Sequence, residues 1–266
     1  MEKIVLYCKS YHHDVDRVKT LLDSISFYNQ DSIPVYISVP RSDIDLFNRV
    51  LGDVNYTLIC DDDIFSITNN NWISQQIIKS NFWKLGIAEN YVCLDSDSYF
   101  IRPFHISDFM FNDTTPYTVI HEQKELFSWS VTRTGILGFD PKEGFINDRK
   151  KIMDLFGRSG KYYDFGPSPI IWNSNVWKSL EEKYMIPNNL TFPDLIAYSP
   201  SEFSWYGEAL LAFKEIEIYP AEPLFKVFHY PQQYIEYKQQ NITKEMIAQN
   251  YMGIIMQSNF NGPLTY

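Results

Sequence analysis

Apolar and polar residues alternate along the first hundred positions in a rhythm that predicts β-strands separated by helices. Short apolar runs typical of buried strands occur at 4–7, 34–39, 56–60 and 91–94. Apolar side chains recur at helical spacing in the segments between them, 14–27, 42–51 and 72–88. Because strands that alternate with helices form mainly parallel sheets, this half predicts an α/β layer flanked by helices.

After Pro103 the alternation of strand and helix patterns becomes irregular, which predicts a mixed α+β region. Helices are predicted at 143–156, 173–184 and 202–213, and strands at 118–121, 135–139, 216–219 and 225–230. The sequence has no linker rich in Pro, Gly and Ser and no internal repeat. We therefore predict a single domain over residues 1–266.

The amino-acid composition and the net charge limit the classes of ligand that the protein is expected to bind. Hydrophobic residues make up 45% of the chain, which is enough for a substantial core, and the formal net charge is -10. A strongly acidic protein repels the phosphate backbone, so nucleic-acid binding is not expected. A small phosphorylated ligand remains compatible with this charge when a divalent cation neutralises it locally.

The cysteines and the N-terminus bear on the cellular compartment. Cys8, Cys60 and Cys93 are an odd, sparse set within or at the ends of apolar runs, so we predict buried, unpaired thiols. The chain starts with Met-Glu-Lys and enters an apolar strand without the pattern of a signal peptide. It also lacks a run of about 18 apolar residues, the length that spans a membrane. These features predict a cytoplasmic protein.

The segment Asp95-Ser96-Asp97 carries the strongest chemical signal. It follows the apolar run at 91–94, so the predicted strand delivers two carboxylates to its carboxyl end. Ligands of α/β sheets bind at that end of the strands. Hard oxygen ligands suit Mg²⁺ or Mn²⁺, and such a cation can stabilise the charge of a departing diphosphate. An alternative interpretation is a solvated turn.

The motif, continued by Phe100-Ile101-Arg102-Pro103-Phe104, resembles the GT-A glycosyltransferases, in particular bacterial enzymes of capsule or lipopolysaccharide polysaccharide biosynthesis. The segments Trp72–Lys79 and Ser201-Glu202-Phe203, together with His229, support this resemblance. It implies a Rossmann-like GT-A fold, a nucleotide-sugar donor (a UDP-sugar is favoured) and a divalent metal, Mn²⁺ or Mg²⁺. Residues 1–104 would bind the nucleotide sugar, and residues 105–266 would form the acceptor side.

The resemblance also implies roles for single residues. Asp97 would bind the metal directly, Asp95 would complete the metal shell or contact the ribose, and His229 would be a further metal ligand. Further candidates for donor binding are Lys9, Ser10 and Tyr11 after the first strand, Asp61 after the third, Gln76 and Lys79 on one helix face, and Ser96 within the motif. An ordinary turn or a solvated helix face is the competing interpretation for each.

Glu202 and Glu208 are the candidates for the general base of an inverting transfer, in which a carboxylate deprotonates the acceptor hydroxyl. Glu202 heads the predicted helix 202–213, where a loop-to-helix junction would expose it to a cleft, so we favour it over Glu208. The alternative is that both glutamates merely interact favourably with the positive end of this helix.

Other classes of protein also fit part of the pattern. A haloacid-dehalogenase-type phosphatase would use Asp95 as its nucleophile, and a non-catalytic carbohydrate-binding module would account for the 17% of aromatic residues. A nucleotidyltransferase would need a glycine-rich loop, which 9–14 lacks. The expected acceptor is a glycan or a lipid-linked glycan. The latter would bring the enzyme to the inner face of the membrane as a peripheral protein.

Overall fold

A computed structural model describes residues 2–52, 55–66, 72–258 and 263–266. The strands within these ranges are β1 (Glu2–Lys9), β2 (Val35–Val39), β3 (Thr57–Cys60), β4 (Ala88–Leu94), β5 (Ser98–Phe100), β6 (Tyr117–Val119), β7 (Ile170–Asn173), β8 (Tyr219–Ala221), β9 (Phe225–Phe228) and β10 (Gly253–Met256). The α-helices are α1 (Val15–Tyr28), α2 (Ile44–Leu51), α3 (Asp61–Ile64), α4 (Trp72–Asn81), α5 (Lys124–Ser130), α6 (Thr134–Leu137), α7 (Pro141–Leu155), α8 (Ser174–Leu180), α9 (Phe192–Tyr198), α10 (Glu202–Phe213), α11 (Pro231–Gln239) and α12 (Lys244–Ile247).

The main sheet has five strands in the order β3-β2-β1-β4-β7. The first four strands of this order run parallel, whereas β7 pairs antiparallel with β4. The predicted α/β architecture is confirmed, and the sheet is mixed rather than purely parallel.

Helices cover both faces of this sheet, which explains why β1 is apolar along most of its length. Ile4, Leu6 and Cys8 join one core with residues of α1 and α2. Val5 and Tyr7 point to the opposite face and join a second core with residues of α4, α8, α9 and α10. A strand that is buried on both faces needs apolar residues at successive positions and not only at alternate ones.

The strand order creates a crevice between the carboxyl ends of β1 and β4. From β1 the chain proceeds to β2 and β3 on one side, and it then returns across the sheet to form β4 on the other side. Cys8 and Leu94 are register partners, so Lys9 and Asp95 leave the sheet next to each other. Ligands of open α/β sheets bind at such a switch point.

A second sheet brings the end of the chain back to this crevice. Its order is β5-β10-β9, with β10 antiparallel to β5 and parallel to β9. A two-stranded parallel sheet, β6-β8, completes the described strands of the C-terminal half. The predicted mixed α+β character of this half is therefore present.

Some predicted elements differ from the structure. The predicted strand 135–139 is wrong, because it overlaps helix α6, and strand β7 was not predicted. The predicted helix 173–184 is confirmed, since α8 and the helical segment after it extend from Ser174 to Met185. The strand predicted at 216–219 lies at 219–221. In the first half the predicted helix 72–88 ends as an α-helix at Asn81, and a 3₁₀ turn and β4 follow it.

The cysteine prediction is confirmed, because Cys8, Cys60 and Cys93 are all buried and free. Within the described ranges, none of the helices is both long and apolar enough to cross a bilayer.

Two glycines within helices provide a matched test of the packing. A Cβ on Gly207 in α10 would lie 2.0 Å from Cγ of the buried Phe165, whereas a Cβ on Gly144 in α7 would meet no atom within 4 Å. We expect Gly207→Ala to lower the free energy of unfolding by about 1–3 kcal/mol, because the ring must move within a packed core. Gly144→Ala should raise it by about 0.5–1 kcal/mol through helix propensity. Urea unfolding of both variants measures the difference, and equal midpoints would contradict the packing.

Candidate functional site

The crevice at the ends of β1 and β4 opens into a cavity of about 470 Å³. We refer to it as the first cavity. Its walls come from the N-terminal half, from the start of α10 and from the segment after β10: Lys9, Tyr11, Asp14, Trp72, Gln75, Gln76, Lys79, Asp95, Ser96, Asp97, Pro200, Ser201, Glu202, Phe203, Gln257 and Ser258. Many of the residues that the sequence predicted separately therefore line one space.

The ammonium group of Lys79 lies between two carboxylates in this cavity. Its Nζ atom is 2.6 Å from Oδ1 of Asp95 and 3.4 Å from Oε1 of Glu202. Although burial lowers the pKa of Lys79, the charges of Asp95 and Glu202 raise it well above the usual value. Lys79 is therefore a permanent positive charge in the wall of the cavity.

Asp95 and Asp97 are held by the backbone and side chains of distant segments. The amide of Asp95 donates to Oγ of Ser168 at 2.8 Å, and the amide of Ser258 donates to Oδ2 of Asp97 at 2.9 Å. Burial and the nearby charge of Asp95 raise the pKa of Asp97 to about 6. A buried carboxylate whose ionisation is disfavoured by a neighbouring carboxylate is a suitable environment for a cation.

The loop after β1 contributes a buried ion pair to the floor of the cavity. Lys9 and Asp61 are each 2% exposed, and their charged groups are 2.8 Å apart. Lys9 lines the cavity, whereas Asp61 lies behind it at the start of α3. Ser10 is also buried, and its amide donates to the carbonyl of Ser38. The structure thus brings Lys9 to the cavity and gives Asp61 a supporting position.

Gln76 and the aromatic rings are available to a ligand. The side chain of Gln76 is 3% exposed and lines the cavity, yet neither its Oε1 nor its Nε2 has a hydrogen-bond partner among the described residues. A buried amide without partners is costly, so a ligand that satisfies it gains affinity. Tyr11 and the exposed ring of Trp72 line the same cavity and offer apolar faces.

The two candidate bases have different surroundings. Glu202 is buried at the first position of α10 and lines the cavity; burial raises its pKa, and the charge of Lys79 opposes that effect. Glu208 is also buried, but it receives two hydrogen bonds from Arg158, at 2.5 and 2.6 Å, and does not line this cavity. The structure therefore places Glu202, but not Glu208, where a substrate could meet it.

His229 does not join the two aspartates. It follows β9 and lines a different cavity together with His121, Gln123 and Lys226. In the part of the chain that the structure describes, three or more His, Cys, Asp or Glu side chains do not come together as a metal site. The predicted ligand set of Asp95, Asp97 and His229 is thus not assembled, because the end of β9 places His229 in a cavity that Asp95 and Asp97 do not line.

Sequence reasoning missed several residues of the first cavity. Oδ2 of Asp14 accepts a hydrogen bond from Ser96 at 2.9 Å, and Ser168 and Ser258 hold the motif through the contacts given above. Asp14 had a local signal, since it follows the first strand closely. Ser168 and Ser258 had none, because only the pairing of β7 and β10 brings them to the motif.

Asp95 and Asp97 each keep an oxygen atom for a ligand. Oδ1 of Asp95 is occupied by Lys79 and Oδ2 of Asp97 by Ser258, which leaves one oxygen atom on each side chain without a described protein partner. Mg²⁺ is commonly bound by one or two carboxylates together with phosphates of the substrate and water.

A protein-family model described as "Family of unknown function (DUF6492)" matches residues 3–153, which is more than half of the chain. The chain belongs to this family. The matched part of this DUF6492 protein runs from β1 into α7 and includes Lys9, Lys79, Asp95 and Asp97. Glu202 and Ser258 lie beyond it. A search of curated proteins finds no match.

Protonation of His229 makes the free energy of unfolding depend on pH between about 4 and 6.5. Burial lowers its pKa from 6.5 to about 4, and Asp164, Lys226, Glu125 and His121 act on it with opposing signs. Because the unfolded chain takes up this proton first, the stabilisation is complete above about pH 6.5 and is lost as the pH falls towards 4.

We therefore expect His229→Gln to lose less stability than the wild type between pH 7 and 4. The measurement is the difference in unfolding free energy between the two proteins at each pH, in which the effects of Asp97 and Glu202 cancel. Parallel curves over this range would show that His229 is not held neutral by its surroundings.

Proposed function

We propose that this DUF6492 protein is a metal-dependent glycosyltransferase of the GT-A (Rossmann-like) type that uses a nucleoside diphosphate sugar, with a UDP-sugar favoured. The observation that carries the proposal is the first cavity itself. Its position at the switch point of the sheet suits a nucleotide, and its wall combines Asp95 and Asp97 with the charged Lys79. The expected acceptor is a glycan or a lipid-linked glycan.

The distribution of charge in the cavity supports a diphosphate ligand. Lys9 and Lys79 place two ammonium groups in the wall, but both are paired with carboxylates, so the divalent cation would supply most of the positive charge that a diphosphate needs. The carboxylates of Asp95 and Asp97 would hold Mn²⁺ or Mg²⁺. Such a cation, when bound, neutralises the charge that develops on the leaving diphosphate.

The remaining groups suit the nucleoside and the sugar. Tyr11 and Trp72 offer ring faces for the base, and the unpartnered amide of Gln76 can donate to and accept from ligand hydroxyl groups. A ligand that fills these positions would exclude water from Lys79 and strengthen its interaction with phosphate.

Glu202 is proposed as the general base of an inverting transfer. Its carboxylate takes the proton from the acceptor hydroxyl while that oxygen forms a bond to the anomeric carbon. The bond from the anomeric carbon to the diphosphate oxygen breaks, and the nucleoside diphosphate leaves with the electron pair. The raised pKa of Glu202 makes it a stronger base than an exposed glutamate, and its ion pair with Lys79 holds it in place.

The donor site can be tested without knowledge of the sugar. We expect UDP with Mn²⁺ to raise the melting temperature by about 5–10 °C at a hundredfold excess over the dissociation constant, because binding to the native state alone is worth about 2.7 kcal/mol there. UDP without metal should give a smaller shift.

Asp97→Asn should remove the metal-dependent part of this shift, whereas Asp63→Asn, a substitution at an exposed acid outside the cavity, should keep it. GDP and CMP serve as alternative nucleotides. Failure of all three to stabilise the wild type with Mn²⁺ or Mg²⁺ would refute the proposal.

The base can be tested by the release of UDP from a panel of UDP-sugars, with water or simple glycosides as acceptors. We expect Glu202→Gln to lower kcat about 100-fold or more, as loss of a general base does, with donor binding unchanged. Glu208→Gln is the matched control on the same helix, and it should retain kcat per folded molecule. The assignment is wrong if the two variants exchange these phenotypes.

A further inference from the structure

A second cavity of about 390 Å³ lies on the acceptor side of the molecule. Its wall is formed by the segment 120–126, strand β9 and parts of the chain around Pro167 and Tyr251. This volume is within the range of pockets for small molecules and exceeds what a few water molecules occupy.

The two histidines of this second cavity have different hydrogen bonding. His121 uses both ring nitrogens, since Nε2 donates to the carbonyl of Gly166 at 2.6 Å and Nδ1 accepts from the amide of Gln123 at 3.3 Å. The ring of His229 has no hydrogen bond to a described residue, and burial keeps it neutral near pH 7. A neutral imidazole offers one N–H donor and one nitrogen acceptor, and both remain for a ligand.

Two buried glutamines add to this set. Oε1 of Gln233 accepts from the amides of His229 and Tyr230 at 2.7 and 3.2 Å, so its Nε2 group is left without a described partner. Nε2 of Gln123 donates to Asp164, and the Oε1 atom of Gln123 is left without a described partner. The second cavity therefore presents neutral donors and acceptors at fixed positions.

The charged groups around this cavity compensate one another. Lys226 is paired with Glu125, which also accepts a hydrogen bond from the hydroxyl of Tyr251 at 3.0 Å. Glu122 is close to the ammonium groups of Lys124 and Lys161. Three carboxylates and two ammonium groups line the cavity in total, counting Glu222. An anionic ligand would therefore find no uncompensated positive charge.

The segment 166–168 contributes to the wall of the second cavity and contacts residues that line the first cavity. Pro167 lines the second cavity, while the next residue, Ser168, accepts from the amide of Asp95 and donates to the carbonyl of Cys93 at 3.1 Å. Gly166 lies against Phe203, which lines the first cavity; a Cβ on this glycine would be 3.0 Å from the Phe203 ring. A ligand of the second cavity would thus be a close neighbour of a donor at Asp95.

We infer that the second cavity binds a neutral sugar residue, with hydrogen bonds from His229, Gln233 and Gln123 and with apolar contacts from the rings of Tyr163 and Tyr251. Fixed neutral donors and acceptors beside aromatic rings match the alternating hydroxyl groups and apolar faces of a sugar. In a role that rests on the proposed function, this sugar is the residue of the acceptor glycan next to the transfer.

The test is saturation-transfer NMR with methyl α- and β-glycosides of glucose, galactose, mannose, rhamnose and N-acetylglucosamine. We expect at least one of them to bind the wild type. His229→Leu removes both free ring nitrogens, and Leu126→Trp fills the second cavity without removing a polar group. Each variant should weaken binding at least tenfold, and His105→Leu, at an exposed histidine outside both cavities, should not.

The thermal shift by UDP and Mn²⁺ separates this inference from the proposed function. A normal nucleotide shift without any glycoside signal, or with a signal that survives in both variants, overturns the sugar site and leaves the donor site intact. Glycoside binding that is lost in both variants supports the sugar site, even where nucleotides fail to bind and the proposed transfer is refuted.

Discussion

The ion pairs of Lys79 connect the parts of the chain on which the candidate site depends. Lys79 belongs to α4, Asp95 follows β4, and Glu202 begins α10, so one buried ammonium group joins three segments. Removing a charge from water costs several kcal/mol, and the partners offset this cost only when they stay in place. Loss of Lys79 would leave the buried carboxylate of Glu202 without its cationic partner. The same interaction thus stabilises the fold and keeps charged groups at the wall of a cavity.

Each of the two sheets positions a different part of the first cavity. The main sheet places Lys9 and Asp95 side by side through the register of Cys8 and Leu94. The smaller sheet then brings the end of β10 next to Asp97, since the amide of Met256 donates to the carbonyl of Asp97 at 2.9 Å. The cavity is therefore a composite of residues that are up to 250 positions apart, and no single segment contains it.

The sequence predicted those elements and positions that depend on residues close together in the chain. Buried parallel strands need continuous apolar runs, so the first four strands and the position of Asp95 could be found in the sequence. The spacing of Gln76 and Lys79 placed both on one helix face, and both line the first cavity.

Long-range placement could not be predicted in the same way. His229 follows an apolar strand as a metal ligand would, yet the direction of β9 takes it to another cavity. Glu208 and Glu202 share a helix, and only tertiary packing shows that one faces Arg158 and the other the first cavity. β7 and β10 were not predicted, and their positions depend on pairing with β4 and with β5 and β9, which are distant in the sequence or were not predicted.

The central position of β10 in its sheet has a consequence for synthesis of the protein. β5 is made more than 150 residues before β10, and it has no hydrogen-bonded neighbour in that sheet until β10 has emerged. Asp97 likewise lacks its hydrogen bond from the amide of Ser258 until that residue has been synthesised. On the ribosome, the first half can form its parallel strands early, as nascent domains do. The candidate site, however, stays incomplete on the growing chain until residue 258 has left the exit tunnel, so an unfinished polypeptide lacks part of the wall of the first cavity.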